Sequence, residues 1–417
     1  MNLLILQSLF GVFAFVGLAW CLSENRSLFA WKTVLAGLAA QLLIAVLFLR
    51  VPFAHEAMLS LNTIVDALMS ATQAGTSFVF GYVGGGDAPF EVINPPASFS
   101  LAFQSLPIVL VVSALAALLW HWRVLPIVVG ALSALLRRVL NIGGALGLAS
   151  GANVFMGMVE APILIRPYLA KLSRSELFAL MSVGLATVAG TVLVLYASVI
   201  GARVEGALGH IITASLISLP AAIIIARIMV PETTTGTSVS EDVPELQYRG
   251  SMDAVVQGTT SGLQLLLAIA AMLIVAVALV ALADIVLGAL PDLAGAPLTL
   301  ERVFGWLFAP IVWAMGIPWG EAGSAGALMG TRTVLNEFLA YLGLIGLEPG
   351  TLSDRSQLIM VYALCGFANP GSVGIMIGGL TSLVPERRDE IIGLAGKAFV
   401  AGTLATCMTG AVVGIVA

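Results

Sequence analysis

Charge is what this chain is short of. Of its 417 residues only 10% are Asp, Glu, Lys or Arg, against roughly 25% in a soluble globular domain. Hydrophobic residues make up 59% and the mean hydropathy is +1.05, so a water-facing surface around a small core is excluded. Cysteine is scarce too. Cys21, Cys365 and Cys407 form no CxxC or Cys/His cluster, which argues against a disulfide framework and a zinc site. No basic excess exists: a net charge of −5 and a pI near 5.3 give no reason to expect a nucleic-acid surface. The three histidines, His55, His121 and His210, are scattered over different segments and read as packing or interfacial residues. The opening MNLLILQSLFGVFAFVGLAWCLSENRS lacks the basic n-region of a signal peptide, and Trp20 before Cys21 spoils a lipoprotein-type cleavage site. It reads as a first membrane helix. The alternating pattern of a β-barrel is also missing, and an open sheet cannot satisfy its backbone in lipid, so the fold class is an all-α integral membrane protein.

What the chain does have is a series of apolar runs of about 20 residues, enough to cross a hydrocarbon layer of about 30 Å as helices. They predict about eight spans, near 3–22, 33–50, 100–120, 176–200, 209–229, 259–289, 356–382 and 390–416. The segment PFAHEAMLSLNTIVDALMSATQAG after the second span carries Phe53, Met58, Leu61, Ile64, Val65 and Leu68 at helical spacing, which suits an interfacial amphipathic helix. Tyr82–Gly86 reads as a flexible external loop, since no Gly-Lys-Ser/Thr follows it to bind phosphate. The polar run 231–251 reads as an exposed connector. Forty-four glycines point to a tightly packed bundle.

Two stretches are apolar but interrupted: 139–165, with Glu160 inside it, and 311–347, with Glu321, Arg332, Asn336 and Glu337. Each is long enough for two half-length helices and a turn, the sequence form of a re-entrant hairpin. Lys and Arg near the ends of spans set orientation. If Arg26, Lys32, Arg123, Arg137, Arg138, Arg166, Lys171, Arg174, Arg387 and Arg388 face the cytoplasm, both termini lie outside, and the two hairpins enter from opposite sides. A hairpin with a Glu followed by two spans then occurs twice, inverted. After the first comes GLATVAGT and after the second GFANPGSVG, both holding residues that weaken a helix, most clearly Pro370-Gly371 after Asn369. Broken segments in corresponding positions of inverted halves point to a transporter's midplane site. A mid-membrane carboxylate needs a polar cavity or a partner, which marks Glu160 and Glu337.

The runs SGANVFMGMVEAPILIRPYL, ATVAGTV, GTRTVLNEFLAYL and CGFANPGSVGI resemble the concentrative nucleoside transporter family in order and spacing. The resemblance covers roughly residues 90–417 well and the first spans loosely. It implies a homotrimeric, multi-pass protein of the bacterial inner membrane. In each protomer a moving transport domain (139–230 and 300–417) works against scaffold segments (1–138, 231–299) in an elevator-type symport of nucleosides. By the same resemblance Met158, Val159 and Glu160 lie where the family reads the nucleobase. Val192 and Phe367 lie beside the ligand, and Glu337, Asn369 and Ser372 where the sugar hydroxyls are held; a carboxylate, an amide and a hydroxyl suit a vicinal diol. Asn153 and Thr187, with the carbonyls of Met156 and Val188, match the sodium positions. Sodium is the implied coupling ion, and no other cofactor is implied. The chain departs from the family at one place: Met158-Val159 stands where Gln-Thr is usual, so base selectivity is open. A proton-coupled carrier of another ribosyl compound or of a nucleoside subset is the alternative. An enzyme is not indicated: Ser372 in PGSVG lacks the GxSxG pattern.

Overall fold

The computed structural model describes residues 2–94, 98–201, 203–234, 237, 248–293 and 295–417. The expected connector at 231–251 falls largely outside this set. All regular elements among the described residues are helical. α1 (Asn2–Cys21) and α2 (Trp31–Arg50) are the first two spans. The amphipathic segment extends further than its apolar pattern indicated, forming the 29-residue α3 (Pro52–Phe80) with Pro52 at its start, where a missing N–H costs nothing. Tyr82–Gly86 is not a floppy loop. A 3-10 turn over Gly81–Gly84 folds back on the end of α3, with Thr76 Oγ1 donating to the Gly84 carbonyl at 2.7 Å.

From there one order of elements is used twice. The first set is α5 (Val124–Leu140), α6 (Gly144–Met156), the short pair α7 (Glu160–Leu164) and α8 (Arg166–Leu169), the half-spans α9 (Arg174–Ala186) and α10 (Gly190–Ile200), and α11 (Ala207–Met229). α4 (Ile108–His121) precedes it, and α12 (Ser251–Gly288) separates it from the second. That second set is α13 (Leu300–Ala314), α14 (Trp319–Val334), α15 (Glu337–Gly346), the half-spans α16 (Asp354–Leu364) and α17 (Pro370–Leu383), and α18 (Arg388–Val416). The expected hairpins are therefore α6–α8 and α14–α15. The first runs to Leu169, past the expected 139–165, and the second starts at Trp319, inside the expected 311–347; the helices that precede them, α5 and α13, are absent from the expected spans. α13 and α14 meet at 115°, so 300–334 is not one span.

Two expected spans, 176–200 and 356–382, are each broken in the middle. Thr187 and Ala189 adopt extended backbone between α9 and α10, and Pro370 starts α17 after Asn369. Among the described residues seven helical segments remain long and apolar enough to cross a membrane, the first broken pair counted as one, whereas α16 and α17 are individually too short.

Packing follows the small residues. α11 and the second half of α18 are buried almost completely. α12 runs along the outside and touches α4 through Gly258 and Gly262: a Cβ at Gly258 would lie 2.7 Å from the Ser113 carbonyl, and one at Gly262 3.0 Å from Leu110 Cα. Without side chains there, backbone meets backbone, the usual device of helices that cannot use the hydrophobic effect against one another.

Several of the basic residues expected on one side gather at one end of the bundle. Glu24, in the α1–α2 turn, accepts from Arg174 Nη2 at 2.9 Å and from Lys397 Nζ at 2.7 Å, and Glu390 bridges Arg174 and Arg387. The Arg174 guanidinium chiefly, aided by Lys397, holds the Glu24 carboxyl down to about 2 against partial burial. A depressed carboxylate stabilises the fold above its ordinary pKa and loses that effect as pH falls toward the folded value. Glu24→Gln should therefore lower the melting temperature at pH 7 by an amount worth about 1 kcal/mol or less, since the site is partly exposed. The difference from the unaltered protein should shrink between pH 5 and pH 2 in a thermal scan in detergent.

Candidate substrate and ion site

The N-terminal ends of α7, α10, α15 and α17 converge on one cleft. The opposite wall is apolar and belongs to α12: Leu265, Ala268, Ile269, Met272 and Leu273. The empty space, open mouth included, is about 970 Å³. All eight residues expected around a substrate line it: Met158, Val159, Glu160, Val192, Glu337, Phe367, Asn369 and Ser372.

Glu337 is the first residue of α15 and only 5% exposed. Its Oε1 accepts from Tyr196 Oη at 2.5 Å, and its Oε2 accepts from Asn369 Nδ2 at 3.1 Å. Asn369 is itself fixed, because its Oδ1 caps α17 by accepting from the Ser372 N–H at 2.8 Å. One amide thus does two jobs, ending the break and presenting its NH2 to the carboxylate. Asn336 caps α15 in the same manner, accepting from the Leu339 N–H at 2.9 Å.

Glu160 opens α7 after a turn made by Gly157, whose φ of +101° is unfavourable for any residue with a Cβ. A Cβ there would also press within 3.0 Å of Ala189 and 2.9 Å of the Glu160 carboxylate. The two apolar residues between them are packed against bare backbone. Met158 Cβ lies 2.8 Å from where a Cβ on Gly184 would be, and Val159 Cγ1 lies 2.9 Å from the same point on Gly379. Val192 is buried, and Phe367 is half-buried at the rim.

The residues expected to hold an ion also come together. Asn153 Nδ2 donates to Thr187 Oγ1 and, at 3.4 Å, to the Val183 carbonyl; Thr187 Oγ1 donates to that carbonyl at 2.9 Å. Thr187 therefore does bond back to its own helix while facing Asn153. Beside it the carbonyls of Thr187 and Val188, in the break, accept no backbone hydrogen bond among the described residues. Met156 ends α6 and lines the cleft. An amide, a hydroxyl and freed carbonyls are neutral oxygen donors, a set that fits a hard cation.

Sequence reasoning passed over Thr191, Tyr196, Asn336 as a cap, and the whole α12 wall. Tyr196 had a signal, since it stands one helical turn after Val192 and so shares its face. The α12 wall had none, because one stripe of a uniformly apolar helix cannot be told from another.

Comparison with known proteins completes the description. The family described as Na+ dependent nucleoside transporter matches in two parts, its N-terminus over residues 10–83 and its C-terminus over residues 210–414. A gate region described as nucleoside recognition matches residues 102–203. The nucleoside permease NupC of Helicobacter pylori is 34% identical over 99% of this chain and 98% of its own length. The transporter YutK of Bacillus subtilis is 35% identical over 99% of both. Among solved structures, CNTnw in an inward-facing substrate-bound state superposes with a TM-score of 0.91 at 33% identity, over 99% of this chain and 98% of that one. An outward-facing form of CNTnw gives 0.90, over 99% and 97%. This chain is a member of the concentrative nucleoside transporter family, a class of transporters and not of enzymes.

The Glu337 cluster yields a direct test. Tyr196→Phe leaves one carboxylate oxygen without its donor in a buried position, a loss of about 1–3 kcal/mol. The melting temperature in detergent should fall accordingly, and an unchanged value would show that the Tyr196 hydroxyl contributes nothing to the resting structure.

Proposed function

We propose that this protein is a secondary active symporter that imports nucleosides across the bacterial inner membrane, driven by a sodium gradient. The observation that carries the reading is the cleft itself. A carboxylate, an amide and a hydroxyl from Glu337, Asn369 and Ser372 stand on one side as partners for a ribose diol, and an apolar wall on the other suits the flat face of a base. Met158, Val159 and Glu160 are the base-side residues in this assignment, with Val192 and Phe367 packing on the ligand. Asn153 and Thr187, with the carbonyls of Met156 and Val188, form the sodium site. One sodium ion crossing 100 mV contributes about 2.3 kcal/mol, enough for accumulation of nearly fiftyfold.

Movement is of the elevator type, in which residues 139–230 and 300–417 travel past the segments 1–138 and 231–299. What supports this is the position of the cleft, between the helix starts of both repeats and the long α12, so that the ligand lies at a boundary. The existence of inward- and outward-facing forms of the similar CNTnw supports alternating access. Three protomers associate, which accounts for part of the apolar surface left exposed on α12.

Uptake into proteoliposomes tests the coupling. Uridine and adenosine, supplied under an inward sodium gradient at fixed pH, should accumulate, and accumulation that follows only a proton gradient would replace sodium with protons. A second reading, a carrier of another ribosyl compound or of a nucleoside subset, is favoured by Met158 and Val159, which offer no polar atom to a base edge. Restoring such groups with Met158→Gln and Val159→Thr together should change the ranking of purine and pyrimidine nucleosides in competition assays. An unchanged ranking would mean that these two positions do not read the base.

A further inference from the structure

Arg332 heads the largest fully buried side chains of the described structure, at 0% exposure. It stands near the end of α14, five residues before Glu337, and its Nε donates to the Gly366 carbonyl at 3.2 Å. Nη1 and Nη2 are buried without a hydrogen-bond partner; among the described residues no carboxylate lies within ion-pair distance of the guanidinium, and the buried Glu337 acts on it only through space. A buried, unpaired cation is costly, so its place demands a reason.

Gly366 lies in the break between α16 and α17, and it is pressed against the other break. A Cβ on it would lie 2.9 Å from the carbonyl of Ala186, 2.9 Å from Arg332 Nη2 and 2.7 Å from Thr406 Cγ2. Ala186 is the last residue of α9, and Gly366 follows the end of α16. The guanidinium therefore sits where the carbonyl ends of two half-helices meet, the negative ends of both dipoles. The repeat relates this place to the ion site. In the first repeat Asn153, from hairpin arm α6, reaches the break at Thr187, two residues before the N-cap Ala189. In the second, Arg332, from hairpin arm α14, reaches the break at Gly366, three residues before the N-cap Asn369. The first repeat offers only uncharged polar groups, an amide, a hydroxyl and carbonyls; the second brings a positive charge of its own.

We propose that Arg332 is the tethered counterpart of the transported cation, a positioning residue whose charge holds the two breaks together at their crossing. The second repeat then needs no exchangeable ion, and the carbonyl ends of α9 and α16 are neutralised throughout the cycle. With the crossing fixed, Glu337 and Asn369, which follow Arg332 and Gly366 in the chain, are kept in register for the ligand. This rests on the ion-site reading above.

Arg332→Lys and Arg332→Gln separate charge from volume and hydrogen bonding. In purified protein at fixed pH, the rise in melting temperature caused by sodium and by uridine or adenosine is read separately, together with the affinity for each nucleoside. The Lys variant should keep both rises and an affinity within a few-fold of the unaltered protein. The Gln variant should melt lower and bind at least tenfold more weakly. Equal behaviour of the two variants, including failure of both to fold, or a Gln variant that matches the unaltered protein, overturns the proposal. If sodium does not stabilise even the unaltered protein, the ion site is wrong on its own account, and the Lys–Gln difference still decides what the guanidinium does.

Discussion

Everything in this structure depends on one restriction: hydrocarbon offers no hydrogen bonds, so backbone can leave the helix inside a membrane only where protein supplies its partners. The chain leaves the helix twice at mid-span, at Thr187–Ala189 and at Cys365–Asn369, and it tolerates this because each break is covered by the tip of a hairpin and by the other break. Asn369 satisfies the start of α17 with its own side chain, and Asn153 and Thr187 bond to one another beside the first break. The hairpins are therefore needed by the breaks as much as the breaks are needed by the cleft. Neither could be removed alone without exposing bare carbonyl and amide groups to lipid.

The same restriction explains which parts were readable from sequence. A carboxylate in an apolar run cannot be hidden, and Glu160 and Glu337 therefore marked both hairpins. Pro370 after Asn369 likewise announced a break. The eight substrate-side positions were legible through the resemblance of their motifs to a known family rather than through spacing, and they line one cleft. What stayed hidden was apolar against apolar. α5 and α13 fall outside the eight expected spans, and only their last residues enter the stretches expected for the hairpins, since hydropathy places no boundary between two helices that are both greasy. The α12 wall escaped for the same reason. Arg332 stood out as an interruption of 311–347, but nothing in the spacing of its neighbours distinguishes a buried guanidinium from one at a membrane surface.

Met158 and Val159 illustrate how packing can constrain recognition. Their side chains press on Gly184 and Gly379, positions where α9 and α17 present only backbone. The pair thus anchors the hairpin tip to both broken spans while lining the cleft. Longer polar side chains at these positions must either find room against the same glycines or turn into the cleft. The residues that would choose a base are also residues that seat the tip.

α12 carries a further consequence. Its 38 residues extend about 57 Å, nearly twice the roughly 30 Å of hydrocarbon that a membrane provides. Such a helix reaches past the hydrocarbon or crosses it at a tilt, and Leu265, Ala268, Ile269 and Met272 form one lengthwise stripe along it, continued by Ala276 with the same chemistry. If the cargo moves along this wall as proposed, it passes a series of equivalent greasy steps, on which a change of height neither makes nor breaks a polar contact.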